Sequence, residues 1–265
     1  MKEGFFMART KKAIYAEYGI DYKNGKILSP MGTWIQPLLC DGNSKVGTGV
    51  WTWSMLPGNV EYVVNIDGVG EVTIKGTCAC NCEGCYAQTG FYKTPSCKKA
   101  LALRTYIARN HLDFMVRAII AQVKADKIRL FRIHASGDFF SLEYINAWRF
   151  IVSACPDTSF WTYTKFESAV NAFDDIANCN IVKSIIKGHG YNFGHCDYIL
   201  ALYEILKSAG VNVYICKCGF DPNQHCVNCK GCIEHDVVLF LEHSTSYKAE
   251  IDPLYPTLKA LVMAQ

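Results

Sequence analysis

The sequence predicts an α/β fold: a partial (β/α)6 open barrel with an irregular N-terminal leader and a C-terminal cysteine-rich metal or cluster insertion. Three observations predict it. Strand-like and helical segments alternate from residue 71 onward, turn residues crowd the first 70 positions, and nine of the 14 cysteines fall into two short groups. Alternating strands and helices favour a parallel sheet with right-handed crossovers, and six units are too few for a closed eight-stranded barrel.

Residues 1–70 are interpreted as an irregular or β-rich N-terminal extension. Turn signals such as Lys23-Asn24-Gly25 and Pro57-Gly58-Asn59 separate short aromatic and aliphatic runs. We therefore predict a domain boundary near residue 70. Residues 71–265 then form the barrel-like domain, which includes the cysteine-rich segment 216–235.

The elements of this domain follow from residue periodicity and composition. Six segments read as strands: Glu71 to Gly76, Ile128 to His134, Ser159 to Thr164, Ile181 to Ile186, Val211 to Ile215 and Val237 to Leu241. Five segments read as helices: Lys98 to Lys124, Leu142 to Ala154, Ser168 to Ala177, Asp197 to Ser208 and Pro253 to Met263. Gly210 fits a C-terminal cap of the fourth helix. Ligands bind at the carboxyl ends of parallel strands, so we expect a site in the loops that follow them.

Composition limits the class of protein. The chain has 265 residues, 50% of them hydrophobic and 13% aromatic, which predicts a folded protein with a sizeable core. A net charge of +3 is too small to indicate a nucleic-acid binder by bulk charge. No apolar run approaches the roughly 20 residues that cross a bilayer, and the N-terminus lacks the apolar core of a signal peptide. We therefore expect a cytoplasmic protein without a membrane partner.

The cysteines favour metal or cluster ligation over disulfides. The sequence carries no export signal, and a chain of this size does not need covalent staples. The cysteines outside the two groups are interpreted as small buried hydrophobes: Cys40, Cys97, Cys155, Cys179 and Cys196.

The first group places Cys78, Cys82 and Cys85 on one short loop after the first predicted strand. Three thiolates can hold three irons of a [4Fe-4S] cubane and leave the fourth iron open for a small ligand. Zinc is the alternative, because Cys80 offers a fourth thiolate. Cysteines alternating in so tight a run aim four sulfurs poorly at one tetrahedral ion, so we interpret Cys80 as a bystander.

Ser136-Gly137-Asp138 follows the second predicted strand, and Thr164 and Lys165 end the third. Glycine lets a backbone approach a ligand, and a carboxylate accepts hydrogen bonds from an ammonium group. The tripeptide therefore suits a bound small molecule. The alternative is an ordinary turn in which Asp138 or Ser141 caps the next helix.

The second group lies after the fifth predicted strand and contains five cysteines: Cys216, Cys218, Cys226, Cys229 and Cys232. The last three, joined by Cys216 or Cys218, favour a second [4Fe-4S] cluster. A structural zinc ion is the alternative, with His225 and His235 as spare ligands. Either centre would fix a loop that is otherwise long.

The first cysteine motif resembles the signature of the radical S-adenosylmethionine superfamily. The resemblance implies that a reduced [4Fe-4S] cluster cleaves S-adenosyl-L-methionine to a 5'-deoxyadenosyl radical, which abstracts hydrogen from a substrate. It also implies an electron donor such as a flavodoxin or ferredoxin, and a peptide, protein or nucleotide substrate. It assigns Ser136, Gly137 and Asp138 to the cofactor. Tyr86, beside the cluster, and Thr164 and Lys165, at the end of the third strand, are further cofactor-binding candidates from their positions.

A wider set of motifs resembles a phage and prophage group, the gene product eighty-eight family. The motifs span roughly residues 43–243 and include Asn43-Ser44-Lys45, Cys85-Tyr86-Ala87, Arg132 to Phe139, Trp148 and Tyr163-Thr164-Lys165. This resemblance implies a phage or prophage origin and a bacterial host cell, and it supplies little chemistry. The predicted function is a radical S-adenosylmethionine enzyme. The alternative is a non-catalytic binding or regulatory module stabilised by a metal or an iron-sulfur cluster.

Overall fold

The structure is a computed structural model that describes residues 9–42, 46–79, 82, 85–184, 193–221, 223–241 and 248–265. Within these ranges the protein is a mixed α/β structure with four small sheets and eight α-helices. Three predicted features lie outside the described residues: the Asn43-Ser44-Lys45 motif, Cys80, and the last two residues of the predicted strand Ile181 to Ile186.

The N-terminal part contains one helix and five strands: α1 (Lys11–Glu17), β1 (Tyr22–Lys23), β2 (Lys26–Leu28), β3 (Trp34–Ile35), β4 (Cys40–Asp41) and β5 (Val50–Ser54). The hydroxyl of Thr10 caps α1 by accepting a hydrogen bond from the Ala13 N–H. Strands β1 to β3 form a small antiparallel sheet, whereas β4 and β5 join the central sheet. The predicted leader therefore contributes strands to the centre of the molecule, and the boundary near residue 70 stays a prediction.

A β-hairpin follows, formed by β6 (Glu61–Ile66) and β7 (Gly70–Lys75). Strand β7 covers the segment Glu71 to Gly76, which the sequence predicted as the first parallel strand. It pairs with β6 in an antiparallel manner instead, and its exposed and less exposed residues alternate. Such alternation is typical of antiparallel strands with one solvated face. The sequence prediction of a parallel strand here is therefore wrong.

The central sheet is assembled by the next segments of the chain: α2 (Pro95–Asn110), α3 (Leu112–Ala125), β8 (Leu130–Ser136), α4 (Leu142–Ala154), β9 (Ser159–Thr164), α5 (Glu167–Val170) and β10 (Cys179–Lys183). Its strand order is β10-β9-β8-β5-β4; β5, β8, β9 and β10 run parallel, and β4 lies antiparallel at one edge. The predicted helix Lys98 to Lys124 is two helices, because His111 leaves helical geometry at φ −139° and ψ 50°. Trp148 on α4 packs on Phe131 of β8 in the main core.

The C-terminal part has its own sheet and helices: β11 (Phe193–Gly194), α6 (Cys196–Ser208), β12 (Val213–Ile215), α7 (Gly231–Glu234), β13 (Val237–Leu241) and α8 (Tyr255–Ala264). The three strands run parallel in the order β11-β13-β12. Gly210, at φ +74°, follows the end of α6 as the sequence predicts. Since the described residues form several small sheets, the six-unit open barrel stays a prediction.

Candidate functional site

The carboxyl end of β8 meets the segment that leads into the first cysteine loop. Gly137 has φ +85°, and a Cβ atom there would lie 2.6 Å from the Thr77 hydroxyl oxygen. That hydroxyl donates to the Leu56 carbonyl at 3.1 Å and accepts from the Asp138 N–H at 3.1 Å. Only glycine combines this backbone conformation with so close an approach. Gly137 therefore brings the Cys78 loop against the end of β8.

Asp138 is buried, and both of its carboxylate oxygens accept hydrogen bonds from the protein. Oδ1 accepts from the Thr164 hydroxyl at 2.6 Å and from the Phe139 N–H at 2.7 Å. Oδ2 accepts from the Lys165 N–H at 2.9 Å. Burial raises the pKa of Asp138, and these donors act in the opposite direction. The carboxylate thus joins the end of β8 to the end of β9.

The neighbouring Ser136 also makes a hydrogen bond within the protein: its hydroxyl donates to the Met55 carbonyl oxygen at 2.8 Å. Tyr86 begins a short 3-10 helix, Tyr86–Gln88, and its side chain lies outside the described part of the chain. The structure thus brings Ser136, Gly137 and Asp138 together with Thr164. Their role in binding a cofactor stays a prediction.

The three predicted ligands of the first loop lie within electrostatic reach of one another. Burial raises the pKa of the Cys78 thiol to about 12, and the charges of Asp138, Cys85 and Cys82 act in the same direction. Burial also raises the pKa of Cys85; a charge on Cys82 adds to this, and the Lys165 ammonium opposes it. Asp138 thus acts on Cys78, and Lys165 acts on Cys85, through their charges.

A cavity of about 210 Å³ adjoins this loop, between the residues after β5 and the start of α2. Leu56 and Leu101 are buried in its wall, and Lys93 and Lys98 are exposed at its margin. Tyr62, which also lines the cavity, has a pKa raised by burial and further by charges on Cys78 and Cys85. Open space is therefore present beside the first cysteine group.

The five C-terminal cysteines come together from three short turns. Cys216 follows β12, Cys218 lies in the 3-10 helix Lys217–Gly219, Cys226 and Cys229 flank a second 3-10 turn, and Cys232 lies in α7. The thiol of Cys218 is hydrogen-bonded to those of Cys216 and Cys226, and charges on Cys226 and Cys229 act on Cys232. The predicted ligands of the second group therefore share one half-buried cluster.

Neighbouring thiols and burial disfavour the charged forms of Cys218, Cys226 and Cys232. The hydrogen bond with Cys216 raises the pKa of Cys218 to about 12, and burial raises that of Cys232 to about 12. Cys226 is raised further, first by its hydrogen bond to Cys218 and then by burial. A cation bound by these three thiols would favour their ionised form.

Sequence reasoning missed three residues that surround this cluster. The Tyr163 hydroxyl donates to Cys232 Sγ at 2.6 Å, and the Tyr214 hydroxyl lies 3.5 Å from Cys229 Sγ. The Arg132 guanidinium lies over the Tyr163 ring, 5.0 Å from its centroid, and its charge lowers the pKa of Cys232. The sequence signal that could have revealed Tyr163 is the alternation of side chains along β9, which places Tyr163 and Thr164 on opposite faces of the sheet.

His134 is a further residue whose environment the sequence did not reveal. It lies within the buried part of β8 at φ +58°, and its Nε2 lies 2.9 Å from the Tyr144 hydroxyl. Its Nδ1 is buried and has no hydrogen-bond partner among the described residues. Burial lowers its pKa to about 3, so the ring is neutral at physiological pH.

The described ranges contain no group of three or more Cys, His, Asp or Glu side chains already arranged to hold a metal ion. The thiols are nevertheless the donor type that zinc and iron-sulfur clusters use. Among the single cysteines, Cys155 and Cys196 are buried as predicted. Cys40 is exposed and accepts a hydrogen bond from Arg104 at 2.9 Å, so its interpretation as a buried hydrophobe is wrong.

Comparisons with known proteins lead to one family. The family model described as Gene product 88 matches residues 37–196, which is more than half of the chain. The Gene 88 protein of Mycobacterium phage D29 is 46% identical over 85 residues, covering 28% of this chain and 35% of that protein. The Gene 88 protein of Mycobacterium phage L5 is 49% identical over 41 residues, covering 16% and 17%. The matched region thus covers about a third or less of the length of these curated relatives. No solved structure matches it at a significant level.

These findings contradict the predicted radical S-adenosylmethionine enzyme. The matching family is the phage one, and none of the comparisons supports S-adenosylmethionine as a cofactor. The physical reason for the error lies in β7: the cysteine motif follows an antiparallel hairpin, so its spacing occurs outside the parallel-strand context that the interpretation assumed. Enzymatic activity of another kind stays a prediction.

The phage context, in contrast, is confirmed by the sequence relatives. Both relatives are phage proteins, and the family match includes the end of β8, the end of β9 and the first cysteine loop. Across the described residues, no helix has both the length and the apolar character needed to span a membrane. The match over residues 37–196 shows that this chain belongs to the Gene product 88 family, which has members in mycobacteriophages.

Proposed function

We propose that the protein is a metal-binding protein whose segment 216–232 folds around a thiolate-ligated centre. The observation that carries this proposal is the convergence of five cysteines from separate turns on one half-buried cluster. Cys216, Cys229 and Cys232 also pack against the apolar group of Val182, Tyr214 and Val238. A chain without a ligand gains little by grouping so many thiols, whereas a metal centre requires it.

A bound cation would reverse the electrostatics of this cluster. Thiolate is the ligand form of cysteine, and metal binding is coupled to the release of thiol protons. The positive charge of the metal would then compensate the repulsion between the thiolates. The residues that would hold it are Cys226, Cys229 and Cys232, with Cys218 or Cys216 as the fourth.

Two kinds of metal centre are bound by four thiolates, a [4Fe-4S] cluster and a zinc ion. The repeated two-residue spacing of Cys226, Cys229 and Cys232 favours a [4Fe-4S] cluster, and zinc is the other source. In both cases the centre would fix segment 216–232 against the ends of β9, β12 and β13. This gives a stable surface next to the central sheet.

A second centre is proposed at Cys78, Cys82 and Cys85. The observation that favours it is the mutual electrostatic influence of the three thiols, beside the Lys165 ammonium. Three cysteines suit three irons of a [4Fe-4S] cluster. If both centres are redox-active, the partner would be an electron donor such as a flavodoxin or ferredoxin, in the cytoplasm of the bacterial host.

The experiment is anaerobic purification of the full chain, followed by analysis of iron, acid-labile sulfide and zinc. Matched variants are Cys229→Ala, Cys82→Ala and Cys40→Ala; Cys40 belongs to neither group. We expect Cys229→Ala to lose one centre, Cys82→Ala to lose the other, and Cys40→Ala to keep both. Iron with sulfide identifies clusters, and zinc without sulfide identifies a structural ion. If the protein binds neither, before or after reconstitution with iron and sulfide or with zinc, the proposal is wrong.

A further inference from the structure

We infer that Tyr163 and Tyr214 donate hydrogen bonds to two ligand thiolates of the C-terminal centre, Cys232 and Cys229, and thereby set its metal affinity. The inference rests on the proposed function of segment 216–232. The Tyr163 hydroxyl is 2.6 Å from Cys232 Sγ, and the Tyr214 hydroxyl is 3.5 Å from Cys229 Sγ. Both cysteines belong to the run with two-residue spacing.

The chemistry fixes the direction of both hydrogen bonds once a metal is present. A metal-bound cysteine is a thiolate, which has no proton to donate, so each hydroxyl must be the donor. A donor to a ligand sulfur disperses the charge of the thiolate and orients it. The tyrosines therefore act on the metal through its ligands and are positioning residues.

The surroundings of Tyr163 hold its hydroxyl in place. The ring lies edge to face with Phe240 of β13, with centroids 5.6 Å apart and an interplanar angle of 69°. The Arg132 guanidinium also packs on this ring, 5.0 Å from its centroid. Tyr163 is therefore packed against side chains of β8 and β13, and its hydroxyl contacts Cys232 without a bound metal.

Arg132 also compensates charge in this part of the structure. Four thiolates around a divalent ion carry a net negative charge, and the Arg132 guanidinium supplies a positive charge that acts on this group. Its charge favours the thiolate forms of both Cys226 and Cys232. Arg132 and Tyr163 lie on the adjacent parallel strands β8 and β9, so the central sheet supplies the support for the centre.

The test is an anaerobic Co²⁺ titration of the metal-free full chain, followed by the thiolate-to-cobalt charge-transfer absorption. The background variant Cys82→Ser confines the signal to the C-terminal group. Tyr163→Phe is expected to weaken Co²⁺ binding about 10- to 100-fold, as loss of a partner of a metal ligand typically does. Tyr214→Phe is expected to weaken it less, because its contact is longer.

Tyr15→Phe is the matched control, since it removes a buried hydroxyl that has no hydrogen-bond partner among the described residues. It should bind Co²⁺ as the background does. Circular dichroism checks that each variant is folded. If Tyr163→Phe is folded and binds Co²⁺ as tightly as the control, the inference is wrong; if Tyr163→Phe does not fold, equal binding by Tyr214→Phe and the control overturns it. If the background variant itself shows no thiolate-ligated Co²⁺, the proposed function fails instead.

Discussion

Tyr163 and Thr164 are consecutive residues at the end of β9, and their hydroxyls donate to two different parts of the structure. The Tyr163 hydroxyl donates to Cys232 at 2.6 Å, whereas the Thr164 hydroxyl donates to Asp138, beside the Cys78 loop, at 2.6 Å. Successive side chains of a strand point to opposite faces of the sheet. The two candidate centres therefore lie on opposite sides of one strand end.

Gly137→Ala should destabilise the protein. The substitution forces alanine to φ +85° and places its Cβ 2.6 Å from the Thr77 hydroxyl oxygen. We expect the backbone strain to lower the free energy of unfolding by about 1–3 kcal/mol. Displacement of the Thr77 hydroxyl should lower it further. Urea denaturation measures the change. Gly25→Ala is the matched control, because Gly25 has φ +76° but nothing within 4 Å of its Cβ position. Equal losses in the two variants would show that the Thr77 contact does not matter.

Asp138→Asn should also lower the free energy of unfolding, by about 1–3 kcal/mol. The amide keeps one oxygen, so at least one of the buried donors, Thr164 or the Lys165 N–H, loses its acceptor. Denaturant titration at neutral pH is the measurement. The control Asp157→Asn changes a carboxylate whose side chain is 86% exposed and whose ion pair with Arg129 is 3.6 Å long, and it should be close to neutral. A neutral Asp138→Asn would contradict the proposed joining of β8 to β9.

His134 predicts a loss of stability in acid. Its pKa falls from the ordinary value of 6.5 to about 3 in the folded protein, because burial disfavours the imidazolium. In the unfolded chain, His134 therefore binds a proton below pH 6.5, whereas in the folded chain it binds one only below about pH 3. This contribution to stability is complete above pH 6.5 and decreases as pH falls, by at most about 1.4 kcal/mol per pH unit.

The matched variant is His134→Asn, since asparagine tolerates a positive φ. Urea denaturation of both proteins at pH 7 and pH 5 measures the effect. The variant should lose less stability than the wild type between these two values. The same pH dependence in both proteins would mean that His134 is not responsible for it.

Removal of metal should loosen segment 216–232 selectively. Because the proposed centre fixes this segment, a chelator is expected to speed tryptic cleavage after Lys217 and Lys230. Mass spectrometry of the fragments compares these sites with Lys124 at the end of α3, where the rate should not change. Cleavage that rises equally at all three sites would indicate general unfolding. Unchanged cleavage at Lys217 and Lys230 would contradict a structural role for the metal.

Much of the local structure was predictable because short patterns determine it. The bounds of α4, β9 and β13 coincide with the predicted segments Leu142 to Ala154, Ser159 to Thr164 and Val237 to Leu241. The partner of β7 was not predictable, since alternation reports which face is solvated and not which strand lies alongside. The same limit applies to the contact of Tyr163 with Cys232, which depends on strands and turns separated by 69 residues.

The cysteine groups illustrate a different limit. Spacing predicts that Cys78 groups with Cys82 and Cys85, and Cys226 with Cys229 and Cys232, because short loops keep neighbours together. Spacing alone did not identify the chemistry of the first group. That chemistry depends on the strand context and on the side chains opposite the loop, and the Gly137 turn places Asp138 there only through the fold.

The carboxylate of Asp138, at the ends of β8 and β9, is bonded mainly to the protein itself. Asp138 accepts three hydrogen bonds from its own chain, so most of its capacity as an acceptor is used inside the fold. The carboxylate therefore serves mainly to hold the ends of β8 and β9 together, and little of it is left for a ligand.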